Sequence, residues 1–161
     1  MIVALLLAAL SMAGTNLSTQ NLKGEQRAFP ADIVEGRAVV VLTFSKTASD
    51  RATEWTRKLR EREQPLAAGI YQIAVLEDVP ALLRSFVISA IKRSVPAELH
   101  QNFWIALSSS KEWQKRTGAT ALDQPQVLLL EGRSEIAWHF QGAFSDAALR
   151  ALVSIVSRQP R

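Results

Sequence analysis

The apolar positions of the chain fall into two patterns that predict alternating strands and helices. Three short runs consist mainly of β-branched, aliphatic or aromatic residues, which is typical of strands buried on both faces. They cover residues 37–45, 71–76 and 104–107. Between the first two runs, apolar residues are spaced three and four positions apart, as on a helix that buries one face. This alternation predicts an α/β domain in which helices connect parallel strands.

Residues 49–64 form the first predicted helix. Ser49 or Asp50 is suited to cap its N-terminus, because either side-chain oxygen can accept a hydrogen bond from a free backbone N–H. Three apolar residues share one face and are predicted to be buried: Ala52, Trp55 and Leu59. The opposite face is strongly charged, so we expect it to face water.

The second predicted helix, residues 80–95, is apolar over more of its circumference than a surface helix needs. Pro80 suits its first turn. The predicted core stripe consists of Leu83, Phe86, Val87, Ala90 and Ile91, with Leu82 and Ile88 on the flanks. Two interpretations stay open. Either the helix is well buried, or it presents an apolar face around Phe86 to a partner, a second subunit or a membrane surface, with Arg84, Lys92 and Arg93 along the rim.

The C-terminal part of the chain predicts a hairpin followed by a closing helix. Strands over residues 126–130 and 135–140 are joined by a turn at 131–134. Gly142 follows the second strand, and Ser145 is placed to cap an amphipathic helix. Before the hairpin, residues 111–117 predict a short helix that is capped by the serines at 108–110 and ended by Gly118.

The first thirteen residues, MIVALLLAALSMA, are apolar and precede a polar stretch. A helix needs about 20 residues to cross a bilayer core of about 30 Å, so this run is too short to span one. Its length matches the apolar region of a secretory signal peptide. Ser11 and Ala13 supply the small residues for cleavage after Ala13, although a positively charged start is missing. A strand or helix packed on the domain, or a retained membrane anchor, are the alternatives.

These observations divide the chain into two parts. Residues 1–20 are assigned to a signal-like or anchor segment and a linker, and residues 21–161 to one domain. We therefore expect an exported or periplasmic protein, with membrane association through the N-terminus as a second possibility.

Composition excludes whole classes of chemistry. The chain has 161 residues, of which 48% are hydrophobic, enough for one domain with a real core. It has no cysteine, so it can form no disulfide, thiolate nucleophile or zinc–thiolate site. Its net charge is +4, but Lys and Arg are interspersed with Asp and Glu. This pattern favours a solvated, mildly basic surface, and we expect no nucleic-acid partner.

The remaining polar residues offer little further chemistry. The two histidines, His100 and His139, do not stand in a metal-binding spacing. Glu77 and Asp78 follow a predicted strand, where acids commonly cap the next helix. There is no glycine-rich phosphate loop. We therefore expect no metal site and no cofactor.

The succession of Gln124-Pro125, the hairpin, Gly142 and the Ser145 helix resembles the second half of a thioredoxin fold. In that family a cis-proline precedes the hairpin, and Pro125 takes its place. Residues 21–36 resemble the stretch that leads into a peroxiredoxin-like domain. The resemblance implies a three-layer α/β/α sandwich with a mixed central sheet.

The resemblance also locates the position of the family's chemistry. Its members carry a Cys-x-x-Cys or one peroxidatic cysteine at the N-terminus of the first helix, where the helix dipole stabilises a thiolate. Here that position, residues 48–52, reads Ala-Ser-Asp-Arg-Ala, and Thr43 takes the place of the family's buried acid. Disulfide exchange and thiol peroxidase activity are therefore excluded. Ser49 has no histidine nearby in the sequence to activate it, which favours a capping role over a nucleophilic one.

A narrower resemblance links the chain to the thioredoxin-related assembly factors of mitochondrial ATP synthase. It rests on Trp55 in the first helix, the segment 78–101 with Arg93 and Pro96, and Gly132-Arg133 followed by Ile136-Ala137-Trp138 and Gly142. It implies a chaperone-like partner of a membrane subunit.

Two functions follow as hypotheses. The preferred one is a non-catalytic module that binds a protein partner through Ser49, Asp50, Arg51, Gln124 and Pro125, with Phe86 as a further contact. The alternative is a non-thiol enzyme that uses Ser49, Asp50 or Arg51 at the helix N-terminus.

Overall fold

A seven-stranded sheet with helices on both faces makes up the part of the chain that the computed structural model describes, residues 16–62, 66, 68–132 and 134–158. The strands are β1 (Leu17–Asn21), β2 (Gln26–Phe29), β3 (Arg37–Thr43), β4 (Gly69–Val75), β5 (Phe103–Ala106), β6 (Gln126–Glu131) and β7 (Glu135–Gln141). The helices are α1 (Lys46–Arg60), α2 (Ala81–Ser94), α3 (Ser110–Thr117) and α4 (Asp146–Ser157), with a 3₁₀ helix at Ala97–Asn102.

The sheet is mixed and runs in the order β2-β1-β5-β4-β3-β6-β7. β3, β4 and β5 are parallel to one another, whereas β6 pairs antiparallel with β3, and β7 with β6. At the other side of the sheet, β1 pairs antiparallel with β5 and forms a hairpin with β2. The α/β domain with a mixed central sheet that the sequence predicts is therefore confirmed.

β3 lies in the interior of the sheet, between β4 and β6, and is apolar on both faces. Its residues from Ala38 to Leu42 are at most 1% exposed. Val40 and Leu42 contribute to a core that includes Trp113 of α3. Alternate residues of the same strand pack against α1 and α4, and α2 covers the neighbouring strands β4 and β5. Helices thus cover both faces, which confirms the predicted three-layer arrangement.

Arg37, the first residue of β3, joins the sheet to the end of the last helix. Its guanidinium donates to the carbonyls of Val156 at 2.8 Å and Arg158 at 3.1 Å, and lies 3.0 Å from the Glu131 carboxylate. The last carbonyls of a helix have no helical partner, so a cation there both satisfies and stabilises them. At its other end, α4 is capped by Ser145, as predicted.

The start of α1 differs from the prediction. The helix begins at Lys46, and its N-cap is Ser45, whose Oγ accepts a hydrogen bond from the N–H of Ala48 at 3.1 Å. Ser45 is free to cap because β3 ends at Thr43, earlier than the run of apolar residues suggested. Ser49 and Asp50 therefore lie inside the helix and do not cap it. The three predicted inward residues of α1 are buried.

The buried stripe predicted for α2 is correct at Ile91 but wrong at Leu83 and Phe86. Ile88, Ile91 and Val95 pack against the sheet, whereas Leu83 and Phe86 are 52% and 69% exposed. Because the helix is apolar on nearly every side, its periodicity could not indicate which side faces the sheet. Of the two interpretations, the well-buried helix is wrong, and the helix does expose an apolar face.

The cis isomer that the resemblance implies at Pro125 is not observed. Among the described residues the cis peptide bond is Phe29–Pro30, and the Gln124–Pro125 bond is trans. Trans is the intrinsically favoured form of an X–Pro bond by about 0.5–1 kcal/mol. In this conformation the Pro125 carbonyl accepts a hydrogen bond from the N–H of Gly142 at 3.0 Å, which fixes the start of the hairpin.

β1 begins at Leu17, within the stretch 1–20 that the sequence analysis assigned to a leading segment and linker. Residues 1–15, including the proposed cleavage point after Ala13, lie outside the described residues, as does Arg133.

Candidate functional site

The position of the thioredoxin-type chemistry lies at the carboxyl end of β3, where α1 begins. Thr43 ends β3 and is 1% exposed. Its Oγ1 lies 3.1 Å from the Oγ of Ser49, and either hydroxyl can donate. The residues that stand in place of the family's buried acid and of its motif therefore form a pair of neutral hydroxyls. Such a pair contains no base that could activate Ser49 as a nucleophile.

Ser45 connects α1 to the loop between α3 and β6. While its Oγ accepts from Ala48, it donates a hydrogen bond to the carbonyl of Leu122 at 2.8 Å. Sequence reasoning missed this residue. The signal was present, since a serine between a buried strand and a helix is a strong capping candidate.

Asp50 and Arg51 make ion pairs at the surface. The Asp50 carboxylate lies 3.0 Å from Nζ of Lys46, one turn earlier on α1. Arg51 reaches across to the α3–β6 loop, where Nη1 donates to the Asp123 carbonyl at 3.1 Å and lies 3.3 Å from its carboxylate. All four side chains are substantially exposed, so each pair stabilises the fold by no more than about 1 kcal/mol.

The carbonyls of the α3–β6 loop are largely occupied by partners within the chain. Those of Leu122 and Asp123 accept from Ser45 and Arg51, and that of Gln124 accepts from Nε2 of Gln126 at 3.2 Å. Pro125 itself is buried. The structure thus brings Ser49, Arg51, Gln124 and Pro125 to one edge, but the loop backbone there is already hydrogen-bonded.

A polar network behind this loop holds it in place. Gln126 is fully buried; its Nε2 donates to Oε1 of Gln141 at 2.9 Å, and its Oε1 lies 2.8 Å from Nε2 of His139. The Gln141 oxygen also accepts from the N–H groups of Thr120 and Ala121 at 2.8 and 2.9 Å. One side-chain amide therefore fixes two loop residues.

The same network determines the tautomer of His139. Because Nε2 of Gln126 already faces acceptors, its Oε1 must accept, and so His139 carries a proton on Nε2. Burial lowers the pKa of His139, which favours the neutral ring. Only a weak sequence signal indicated this network: polar residues at the matched ends of two largely apolar strands.

Phe86 belongs to a different surface. It lies on the outward face of α2, together with Leu82. Among the described residues no helix is both long and apolar enough to cross a membrane, and none of their acidic or histidine side chains form a group of three suited to a metal. His100 is engaged elsewhere: its Nε2 lies 2.8 Å from the carbonyl of Val95, beyond the end of α2.

A concave region lies at the opposite end of the parallel strands, near the amino ends of β4 and β5. A cleft of about 630 Å³ opens beside Tyr71, Trp104 and the loop before β3. The Tyr71 hydroxyl donates to Oε2 of Glu35 at 2.6 Å. Burial, followed by the hydrogen bond and the charge of Glu35, raises the pKa of Tyr71, so its hydroxyl stays protonated and remains a donor.

No family model matches the chain, and no curated protein sequence matches it. Solved structures, in contrast, do match the chain. BsSco, a member of the Sco family of cytochrome c oxidase assembly proteins, superposes with a TM-score of 0.60 at 12% identity, covering 92% of each chain. The chain has a thioredoxin-like fold. The exposed lipoprotein thioredoxin Etrx1 of Streptococcus pneumoniae strain TIGR4 gives 0.58 at 8% identity, covering 87% of this chain and 98% of its own.

The thio-disulfide isomerase of Thermus thermophilus aligns over 90% of this chain and 94% of its own, with a TM-score of 0.56 and 18% identity. At these identities the likeness establishes the fold and nothing about activity. This chain contains no cysteine, so its thioredoxin-like domain cannot carry out thiol chemistry.

Proposed function

We propose that this thioredoxin-like protein is a non-catalytic module that binds a protein partner. The observation that supports this most directly is the hydroxyl pair of Thr43 and Ser49 in a chain without cysteine. The side chains at this position make contacts that stabilise the fold, and none forms a nucleophile–base pair. A scaffold kept without its reactive groups is suited to binding.

The proposed contact edge comprises Ser49, Asp50, Arg51 and Gln124, with the buried Pro125 supporting them from beneath. Because the loop carbonyls beside it are occupied, a partner would be recognised by side chains and not by pairing a strand with the loop. The exposed groups there alternate in charge. Lys46 and Asp50 are 87% and 66% exposed, and Asp123 is 61% exposed, which suits a polar partner segment of mixed charge.

We further propose that the partner belongs to a membrane complex, such as the membrane part of ATP synthase, and that the protein acts there as a chaperone-like assembly factor. Support comes from the resemblance around Trp55 and Gly142 and from the likeness to BsSco, itself a member of a family of cytochrome c oxidase assembly proteins. Export fits the apolar N-terminus and the likeness to an exposed lipoprotein. The alternative of a non-thiol enzyme is less well supported, because Asp50 pairs with Lys46 and not with Ser49.

The test is site-specific crosslinking in the native cells. Since the chain has no cysteine, Asp50→Cys creates a single attachment point for a benzophenone label, and Ser154→Cys on the exposed side of α4 is the matched control. We expect membrane-complex subunits crosslinked from position 50 and absent from position 154. If crosslinks are equal at both positions, or no partner is found in membrane and soluble fractions, the proposal fails.

The enzymatic alternative has its own test. Substitution of Ser49, Asp50 and Arg51 together by alanine should abolish any turnover that the purified protein shows. Turnover that persists in this variant would rule out those three residues as the catalytic groups.

A further inference from the structure

The outward face of α2 exposes three large apolar side chains side by side. Leu82 is 94% exposed, Phe86 69% and Leu83 52%. Leu82 and Phe86 are one helical turn apart and therefore form a continuous ridge. Scattered single apolar residues are common on protein surfaces, but contiguous apolar patches usually mark an interaction site.

The orientation of this face follows from the packing of the helix. Ile88, Ile91 and Val95 are held against a core formed by Leu22 and residues of β4 and β5. The ridge lies on the opposite side of the helix. It cannot turn inward unless these three contacts are lost, so its exposure is a consequence of the fold.

The charges on α2 have one sign. The helix contains no Asp or Glu, and its last turn exposes Lys92 and Arg93. Arg84, in contrast, is turned to the preceding loop, where it donates to the carbonyls of Val79 and Glu77 at 3.0 Å each. Acidic side chains lie only beyond the helix ends in sequence: Glu77 and Asp78 before it, and Glu98 after it.

The chain also enters the domain beside this helix. β1 runs antiparallel to β5, so Asn16, which precedes it, lies at the carboxyl ends of β4 and β5. α2 begins at this same end, since it follows β4. Only β5 separates β1 from β4, and neighbouring strands lie about 4.8 Å apart, so the described chain begins, at Asn16, on the same side of the domain as the start of α2.

We propose that the outward face of α2 docks on an anionic lipid bilayer surface. The Leu82–Phe86 ridge enters the boundary between headgroups and acyl chains, and Lys92 and Arg93 contact lipid phosphates. A second copy of the chain fits less well. The ridge is convex, and three side chains fall well short of the roughly 800 Å² per partner of a standard protein interface. This surface is separate from the proposed protein-binding edge and does not depend on it.

The experiment uses the full chain with one fluorescent reporter. Ser89→Cys, exposed between Phe86 and Arg93, carries a nitrobenzoxadiazole label, and Ser154→Cys on α4 is the control. Each protein is titrated with phosphatidylcholine vesicles with and without phosphatidylglycerol. We expect a blue-shifted, brighter emission at position 89 with the anionic vesicles and little change at position 154, whatever residues 1–13 do.

Two sets of variants separate the apolar and charged contributions. Leu82→Ser with Phe86→Ser should raise the lipid needed for half-maximal response at least about tenfold. Val34→Ser, which removes a side chain 75% exposed elsewhere, should leave it unchanged. Lys92→Glu with Arg93→Glu should remove the preference for anionic vesicles.

Three results would overturn the proposal. One is no response at position 89, or an equal response at position 154. Another is a response equal in neutral and anionic vesicles. The third is an emission change that grows with protein concentration in the absence of lipid, which would assign the ridge to a second copy of the chain.

Discussion

The Oγ1 of Thr43 and the Oγ of Ser49 lie 3.1 Å apart, at the place where thioredoxin-type enzymes carry an acid and a thiol. One hydroxyl donates a hydrogen bond to the other, so this position holds a structural contact between β3 and α1. The contact between Thr43 and Ser49 therefore contributes to the free energy of unfolding, and this contribution can be measured.

Ser49→Ala should lower the free energy of unfolding by about 1 kcal/mol, because Thr43 is buried and loses its partner. Thr43→Val with Ser49→Ala removes both polar groups at once. We expect this double variant to cost less than the two single changes together. Urea denaturation of the four proteins gives the coupling energy, and simple additivity would show that the two hydroxyls do not interact.

Ser45→Ala should destabilise the protein more than Ser145→Ala does. Both residues cap a helix through one N–H, a contact that contributes about 1 kcal/mol. Ser45 additionally donates to the Leu122 carbonyl, so we expect an excess of about 0.5–1.5 kcal/mol. Equal losses in thermal or urea denaturation would mean that the loop contact contributes nothing.

The stability of the domain should fall at mildly acidic pH because of His139. Burial lowers the pKa of His139, so its ring takes up a proton near pH 6.5 in the unfolded chain and only at lower pH in the folded chain. The contribution is complete above about pH 6.5 and is lost as the pH falls towards the folded value. His139→Asn should flatten the stability profile in this range, and an unchanged profile would contradict the assignment.

Tyr71→Phe should cost about 1–2 kcal/mol, because a hydroxyl bonded to a partly buried carboxylate is removed. The raised pKa of Tyr71 stabilises the fold below about pH 10, the value in the unfolded chain, and this contribution is lost as the pH rises above it. Alkaline unfolding monitored by tryptophan fluorescence should therefore lose part of its pH dependence in Tyr71→Phe. Glu35→Gln, which keeps an acceptor but no charge, should show a smaller loss of stability.

Gly69→Ala tests the hydrogen bond between Tyr71 and Glu35 by displacing Glu35. A Cβ at Gly69 would lie 2.5 Å from Cδ of Glu35, so the carboxylate must move away from Tyr71. At Gly36 an added Cβ meets nothing within 4 Å, which makes Gly36→Ala the matched control. We expect Gly69→Ala to lose about as much stability as Tyr71→Phe, and Gly36→Ala to lose little. A similar result for both glycines would argue against a specific role for Glu35.

The features that sequence reasoning predicted correctly are those with a local cause. Val39 and Val41 lie in an apolar run that only a buried strand accommodates. Ser145 caps the start of α4 with its side chain, and Gly118 ends α3 because glycine readily adopts the left-handed conformation. These signals require no knowledge of the rest of the chain.

The features that were missed depend on distant contacts. The orientation of α2 is decided by which of its apolar sides meets β4 and β5, and the sequence of the helix alone does not contain that information. The link from His139 through Gln126 to Gln141 needs the register of β6 and β7. The position of the first cap depended on where β3 stops: the strand ends at Thr43, two residues before its predicted end, and the cap is Ser45 instead of Ser49.

The position of β3 between β4 and β6 also determines the order in which the sheet can be completed. One neighbour of β3, β4, follows it closely in the sequence, but the other, β6, is synthesised only after α2, β5 and α3. Until then one edge of the most apolar strand has no partner in the sheet. A chain emerging from the ribosome would therefore display an open, aggregation-prone strand edge until residue 131 has appeared.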